Sequence, residues 1–216
     1  MKKFAIAVLL LLALGIATAS ATTVDTVDWG QLGPSFTVLT TPQPFTSAGG
    51  ITGLIGLNDF DPFERLDQGN GWNGNFSPGE HLIWNIDQTG FDDSIVAIFN
   101  TGTFGGGAQI QADPFGPFVG ILNVYDTSLN LIATVTENGV SNSNGDGSAI
   151  FIGYQSGSAD VGALQFLVSD VNGANTVAIG TMSIYTSSAV PEPGSLLMFG
   201  SGIIGLAGVL RRRINL

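Results

Sequence analysis

A chain of 216 residues with 17 acidic and 6 basic side chains, a net charge of −11 and no cysteine excludes thiol catalysis, thiolate metal sites and disulfide stapling, all of which need the missing residue. Five of the basic residues sit at the ends, Lys2 and Lys3 at one and Arg211, Arg212 and Arg213 at the other, so residues 22–190 set sixteen acidic side chains against Arg65 alone. Nucleic acid is thereby excluded as a partner, because binding a phosphate backbone needs Lys or Arg to displace counterions; acidic polysaccharides are repelled too, which leaves neutral sugars, cations and other proteins.

The chain opens with Met1-Lys2-Lys3, an apolar run from Phe4 to Ile16, and the small residues Ala17, Ala19 and Ala21. That order of charge, apolar stretch and small-residue cleavage site predicts a secretory signal peptide over 1–21. The next 169 residues, 22–190, are enough for one domain with a sizeable core and too few for two.

Within that domain helical periodicity is nearly absent. Apolar runs are short, β-branched or aromatic, and broken by turn residues, which predicts an all-β fold. The expected strands are 35–40, 51–57, 81–86, 94–99, 108–112, 119–125, 131–136, 149–154, 163–168 and 176–185. Their spacing, with loops such as Gly145-Asp146-Gly147 between them, favours a two-sheet antiparallel β-sandwich. Segments 119–125 and 131–136 read as a hairpin across the loop from Asp126 to Asn130. Alternation in 119–125 is imperfect, which fits an inner strand with both faces partly covered.

Residues 58–80 form a predicted loop of 23 residues, long for a compact domain. It carries the carboxylates Asp59, Asp61, Glu64 and Asp67, the rings of Phe60, Phe63, Trp72 and Phe76, and the amides Asn70, Asn73 and Asn75. Rings that stack on sugar faces, beside amides that take hydroxyls, make Trp72, Asn70, Asn73 and Phe76 the candidate ligand-binding residues. The competing reading is that the rings fold under the loop and pin it from below. No cofactor is named outright; calcium is left open at Asp59, Asp61 and Glu64.

Other motifs carry less. The string Gly69-Asn70-Gly71-Trp72-Asn73-Gly74 matches G-x-G-x-x-G without the strand and helix that give the motif its chemistry. Asn142 to Gly147 resembles the start of a calcium loop, but the twelfth position is Gly153, where an EF-hand needs a bidentate Glu. His81 is the only histidine and reads as structural. No nucleophile elbow or zincin motif occurs, so catalytic residues are none; paired carboxylates remain the one route to an enzyme.

The C-terminal 26 residues run Pro191, Glu192, Pro193, Gly194, an uncharged stretch over 196–210, then Arg211, Arg212 and Arg213. The apolar stretch predicts a short transmembrane helix whose C-terminus the arginines hold on the cytoplasmic side, leaving Pro191 and all before it outside. Motif, span and basic cluster in this order resemble the PEP-CTERM sorting tail of exported bacterial proteins. The resemblance implies that Pro191, Glu192 and Pro193 are recognised by an exosortase, a membrane transpeptidase, with passage through the inner membrane before display at the cell surface. Segments beginning at Gly107, Ala149 and Phe166 are similar to a sandwich module common ahead of such tails, which implies a jelly-roll-like shape related to carbohydrate-binding modules.

The sequence thus predicts a signal peptide (1–21), a β-sandwich ectodomain (22–190) and a sorting tail (191–216). The expected role is a non-catalytic carbohydrate-binding or structural component of the exopolysaccharide or biofilm matrix, with neutral polysaccharide as partner. The alternatives are a glycoside-active enzyme using two carboxylates and a calcium-dependent adhesin.

Overall fold

The computed structural model describes residues 23–40, 42–86, 94–170 and 176–187. In chain order the strands are β1 (Val24–Val27), β2 (Thr37–Leu39), β3 (Gln43–Thr46), β4 (Thr52–Leu57), β5 (Phe63–Gln68), β6 (Gly71–Trp72) and β7 (His81–Trp84). They continue as β8 (Ile95–Thr103), β9 (Gly105–Ala112), β10 (Gly116–Asp126), β11 (Leu131–Ser141), β12 (Ile150–Gln155), β13 (Val161–Asp170) and β14 (Val177–Tyr185). A 3-10 turn, Trp29–Leu32, follows β1.

Two sheets result. One has the order β12-β9-β14-β7-β5-β2, with β1 added to β14 and β6 to β5; the other has the order β11-β10-β13-β8-β4-β3. Pairing is antiparallel except for the two-residue contact of β5 with β6. The all-β, two-sheet antiparallel sandwich expected from the sequence is the observed fold. The hairpin of β10 and β11 is also present, with Leu122 opposite Val135 and Ile121 opposite Thr136.

Alternation builds the core. Phe118, Leu122 and Val124 of β10, Leu164, Phe166 and Val168 of β13, and Ile95, Ala97 and Phe99 of β8 face inward from one sheet. Ala108, Ile110 and Ala112 of β9 and Val177, Ile179, Met182 and Ile184 of β14 face them from the other. At the glycine-rich start of β9, a Cβ on Gly107 would run into the Ile152 carbonyl of the neighbouring strand β12. Only a residue without a side chain lets the two strands close there.

Four strands depart from the sequence expectation, each for a local reason. β3 contains Pro44 and lies at a sheet edge, where the missing N–H costs no ladder bond. β5 carries Glu64, Arg65, Asp67 and Gln68, a charge density that reads as loop until pairing with β2 and β7 organises it. β1 and β6 are too short, at four and two residues, to show a period.

The expected C-terminal transmembrane helix is corrected. Among the described residues no helix is long and apolar enough to cross a membrane. Segment 196–210, which carried the expectation, lies outside them, and fifteen residues fall short of the roughly 20 that a span requires. The signal peptide over 1–21 lies outside the described residues too.

Candidate functional site

The two sheets treat their outer faces differently. Over the eight-stranded sheet, the backbone of Gln68 and Glu80 pairs (Gln68 N–H to Glu80 O, 2.9 Å) and closes residues 69–79 into a flap. Leu66, Trp72, Phe76, Leu82, Ala149 and Ala178 form a second small core beneath it. Trp72 is 5 % exposed and Phe76 is fully buried. The Trp72 ring lies 6.4 Å from Phe76 and 6.0 Å from Trp84.

The flap is stapled to the loop 142–149 by Asn75. Its N–H donates to Gln111 Oε1 at 2.7 Å, its Nδ2 donates to Ser148 Oγ at 2.9 Å, and its Oδ1 accepts the Asn142 N–H at 2.7 Å. Trp72 and Phe76 therefore offer no ring face to a ligand, and the sequence reading of them as sugar platforms is corrected in favour of the pinned loop. Asn70 and Asn73 are exposed at the flap surface but sit beside no open ring within it. The G-x-G-x-x-G string is this flap, with no helix after it.

The six-stranded sheet has no such cover among the described residues. The chain leaves β4 through a turn at Asn58 to Asp61, where the Asp61 N–H donates to Asp59 Oδ1 at 3.1 Å. Phe60 takes a left-handed φ of 66° and stands 71 % exposed. A phenylalanine at positive φ is uncommon and strained, and here it holds an aromatic ring out over the sheet.

Beneath Phe60 run two adjoining hollows of about 150 and 230 Å³, which share Asn58, Val96 and Ile98. The first is walled by Pro42, Leu54 and Phe60, the second by Tyr125, Leu129, Ala163 and Gln165. Together they cross β4, β8, β13 and β10, three strand spacings or about 14 Å. Small outward residues make the depression: Gly56 has no side chain and Ala163 a short one, between the taller Ile98 and Tyr125.

The groove's polar floor is fixed in advance. Gln165 Oε1 accepts from Tyr125 OH at 2.6 Å and from Asn123 Nδ2 at 3.1 Å, while its Nε2 donates to Ser94 Oγ at 2.7 Å. Asn123 Oδ1 in turn accepts from Thr134 OH at 2.8 Å. At the far rim the side chain and backbone N–H of Asn130, helped by the Ser128 N–H, outweigh desolvation and hold the Asp126 carboxyl below its ordinary pKa. That locks the turn presenting Leu129, itself at φ 62°.

Among the described residues no three or more His, Asp or Glu side chains stand together as a ligand set. Asp59 and Asp61 shape a turn, and Glu64 lies in β5, its carboxyl pushed up by burial. Asn142 to Gly147 is likewise built from turn bonds, with the Asn144 N–H on Asn142 Oδ1.

His81 is structural in its contacts. Its Nδ1 lies 2.5 Å from Asp28 Oδ1, and Asp28 also caps the 3-10 turn by accepting the Gly30 N–H at 2.8 Å. Arg65, 3 % exposed, pairs with Asp67 at 2.6 Å, and His81 Nε2 lies 3.8 Å from the same oxygen. Burial raises the Asp28 pKa, but the Gly30 and His81 hydrogen bonds and the charges of His81 and Arg65 outweigh it and hold the group below 3.8. A depressed folded pKa adds stability above the ordinary value that is lost as pH falls through the folded one. Urea midpoints of wild type and Asp28→Asn should therefore differ at pH 6, and the gap should start to close only as pH drops below the ordinary carboxylate value, about 3.8, and go on closing through the lower folded one. A gap unchanged down to pH 2 would remove the carboxylate from the account.

Residues 189–213 match the family model for the PEP-CTERM protein-sorting motif. The chain carries this sorting signal, with Pro191, Glu192, Pro193 and the three terminal arginines inside the match, although all of them lie outside the described residues. No curated protein matches the chain. Among solved structures, it is similar to a DUF4465 family protein from Bacteroides caccae ATCC 43185, at 11 % identity and a TM-score of 0.46, covering 76 % of this chain and 100 % of that one.

Proposed function

We infer that this exported, PEP-CTERM-tagged β-sandwich is a non-catalytic binder of neutral polysaccharide, held among the matrix polymers at the cell surface after an exosortase-type system has sorted it. The observation that carries the reading is the open groove on the six-stranded sheet. Its apolar wall of Leu54, Val96, Ile98 and Phe60 suits the C–H faces of a sugar ring, and its amides suit hydroxyls. Asp59, Asp61 and Asp126 at the rim disfavour acidic polymers. Neither hollow is lined by Asp or Glu, which favours binding over a hydrolase that needs two carboxylates across the scissile bond. One such site binds weakly, and display in many copies supplies the avidity.

The test is retention on a neutral-polysaccharide panel, read together with released sugar ends. Replacing Phe60 by alanine removes about 1 kcal/mol of ring contact and should weaken retention roughly fivefold. Its melting temperature should hardly move, since the ring is solvent-facing. Unchanged retention in Phe60→Ala, or sugar ends accumulating with wild type, would overturn the reading.

A further inference from the structure

The flank of the sandwich opposite β2 and β3 is built of β11, the last strand of the six-stranded sheet, and β12, the last strand of the other. Each pairs on one side only among the described residues, so alternate N–H and C=O groups of both point outward. Between them the core is only half closed: Ala133 and Val135 of β11 and Ile150 and Tyr154 of β12 pack on it while partly exposed. Leu131, Ile132, Val140 and Phe151 are exposed on the same two strands.

Natural edges are usually short, charged or interrupted by proline. β11 has eleven residues with Glu137 as its one charge and no proline, and β12 has no charge at all. In a domain with fifteen net negative charges, most surfaces repel a second copy of the same chain. Along this flank that repulsion is small, since the two strands carry Glu137 alone. Eleven residues run about 37 Å, and two sheets with their side chains give a strip roughly 20 Å wide. The product is on the order of 700 Å² per partner, near what a stable dimer uses.

We propose that this flank is a homodimer interface in which β11 pairs antiparallel with β11 of a second copy, joining two six-stranded sheets into one. Inward-facing residues stay in line only when like-facing positions meet across the two-fold axis. In the register centred on Val135, Val135 meets its own copy, Thr134 meets Thr136, and Glu137 faces Ala133 rather than the other Glu137. Threonine pairs of this kind stabilise antiparallel ladders. The bulge where β11 skips Ile132 in its pairing with β10 ends the regular stretch on that side.

The mature protein recovered from the cell surface should show twice its monomer mass by light scattering. Thr134→Glu/Thr136→Glu should reduce it to the monomer by placing four carboxylates at the axis. Pro44→Glu/Thr46→Glu, the same added charge on the opposite edge strand, should leave it dimeric. Since the chain has no cysteine, Val135→Cys provides a second readout that does not depend on the charged variant folding. Opposed Cβ atoms at a strand pair lie near disulfide range, so mild oxidation should give a covalent dimer, whereas Pro44→Cys should not. A monomeric wild type, or a dimer that survives the β11 charges and is not captured by Val135→Cys, would overturn the proposal.

Discussion

Replacing Trp72 by alanine should unfold the chain far more readily while leaving intact the polysaccharide retention proposed for the groove. Loss of a buried tryptophan costs about 3–5 kcal/mol. At roughly 2–4 °C per kcal/mol for a domain of this size, the melting temperature should fall by about 6–20 °C. The cost arises because the indole fills the space between Phe76, Trp84 and the sheet, and its Nε1 faces Gln111 Oε1 at 3.4 Å. The flap could not close over the cavity without breaking the Asn75 bonds to the 142–149 loop. Retention should survive because the groove lies on the other sheet. Paired with Phe60→Ala, where retention falls and melting holds, the two variants dissociate stability from binding. Equal melting temperatures for wild type and Trp72→Ala would show that the ring does not support the flap.

The second large effect is expected at Trp29. This residue is fully buried at one end of the sandwich, and its Nε1 donates to the Gly180 carbonyl of β14 at 2.7 Å. Its ring meets Phe45 edge-on at 6.0 Å, and Phe45 meets Phe99 edge-on at 6.2 Å. One indole thus ties the middle of the eight-stranded sheet to β3 and β8 of the other. Trp29→Ala should cost about 3–5 kcal/mol. Trp29→Phe keeps much of the ring but strands the Gly180 carbonyl, a loss of about 1–3 kcal/mol. Urea unfolding with an unchanged slope should rank them in that order; equal midpoints would show that the indole N–H, not the packing, is what matters.

Much of the sandwich was legible because its central strands are long, apolar and bounded by turn residues. All ten expected strands overlap observed ones, since 119–125 or 163–168 can satisfy their side chains only by pairing and burial. The candidate site was less legible, and the reason is physical. Sequence places Trp72 and Phe60 in the same decorated stretch, but only tertiary contact decides which ring folds inward. A signal for the groove did exist in β8, where Ile95, Val96, Ala97 and Ile98 are apolar at successive positions. Such a run fits a strand covered on both faces; here Val96 and Ile98 instead line an open depression. The binding of Gln165 to Tyr125 and Asn123 could not be read at all, because it joins strands forty residues apart.

The position of β14 bears on how a surface-held molecule withstands flow. β14 is the last of the described strands, yet it lies inside its sheet, with β9 on one side and β7 and β1 on the other. Tyr185 pairs with Val24, and Thr186 donates to the Thr23 carbonyl at 2.9 Å. If the proposed groove holds polymer and the C-terminal end resists, drag would pull along β14 rather than peel an edge strand. Ladder bonds on both sides of that strand would have to shear together before the domain opened. A chain without a single disulfide would thereby resist tension through where its final strand is inserted.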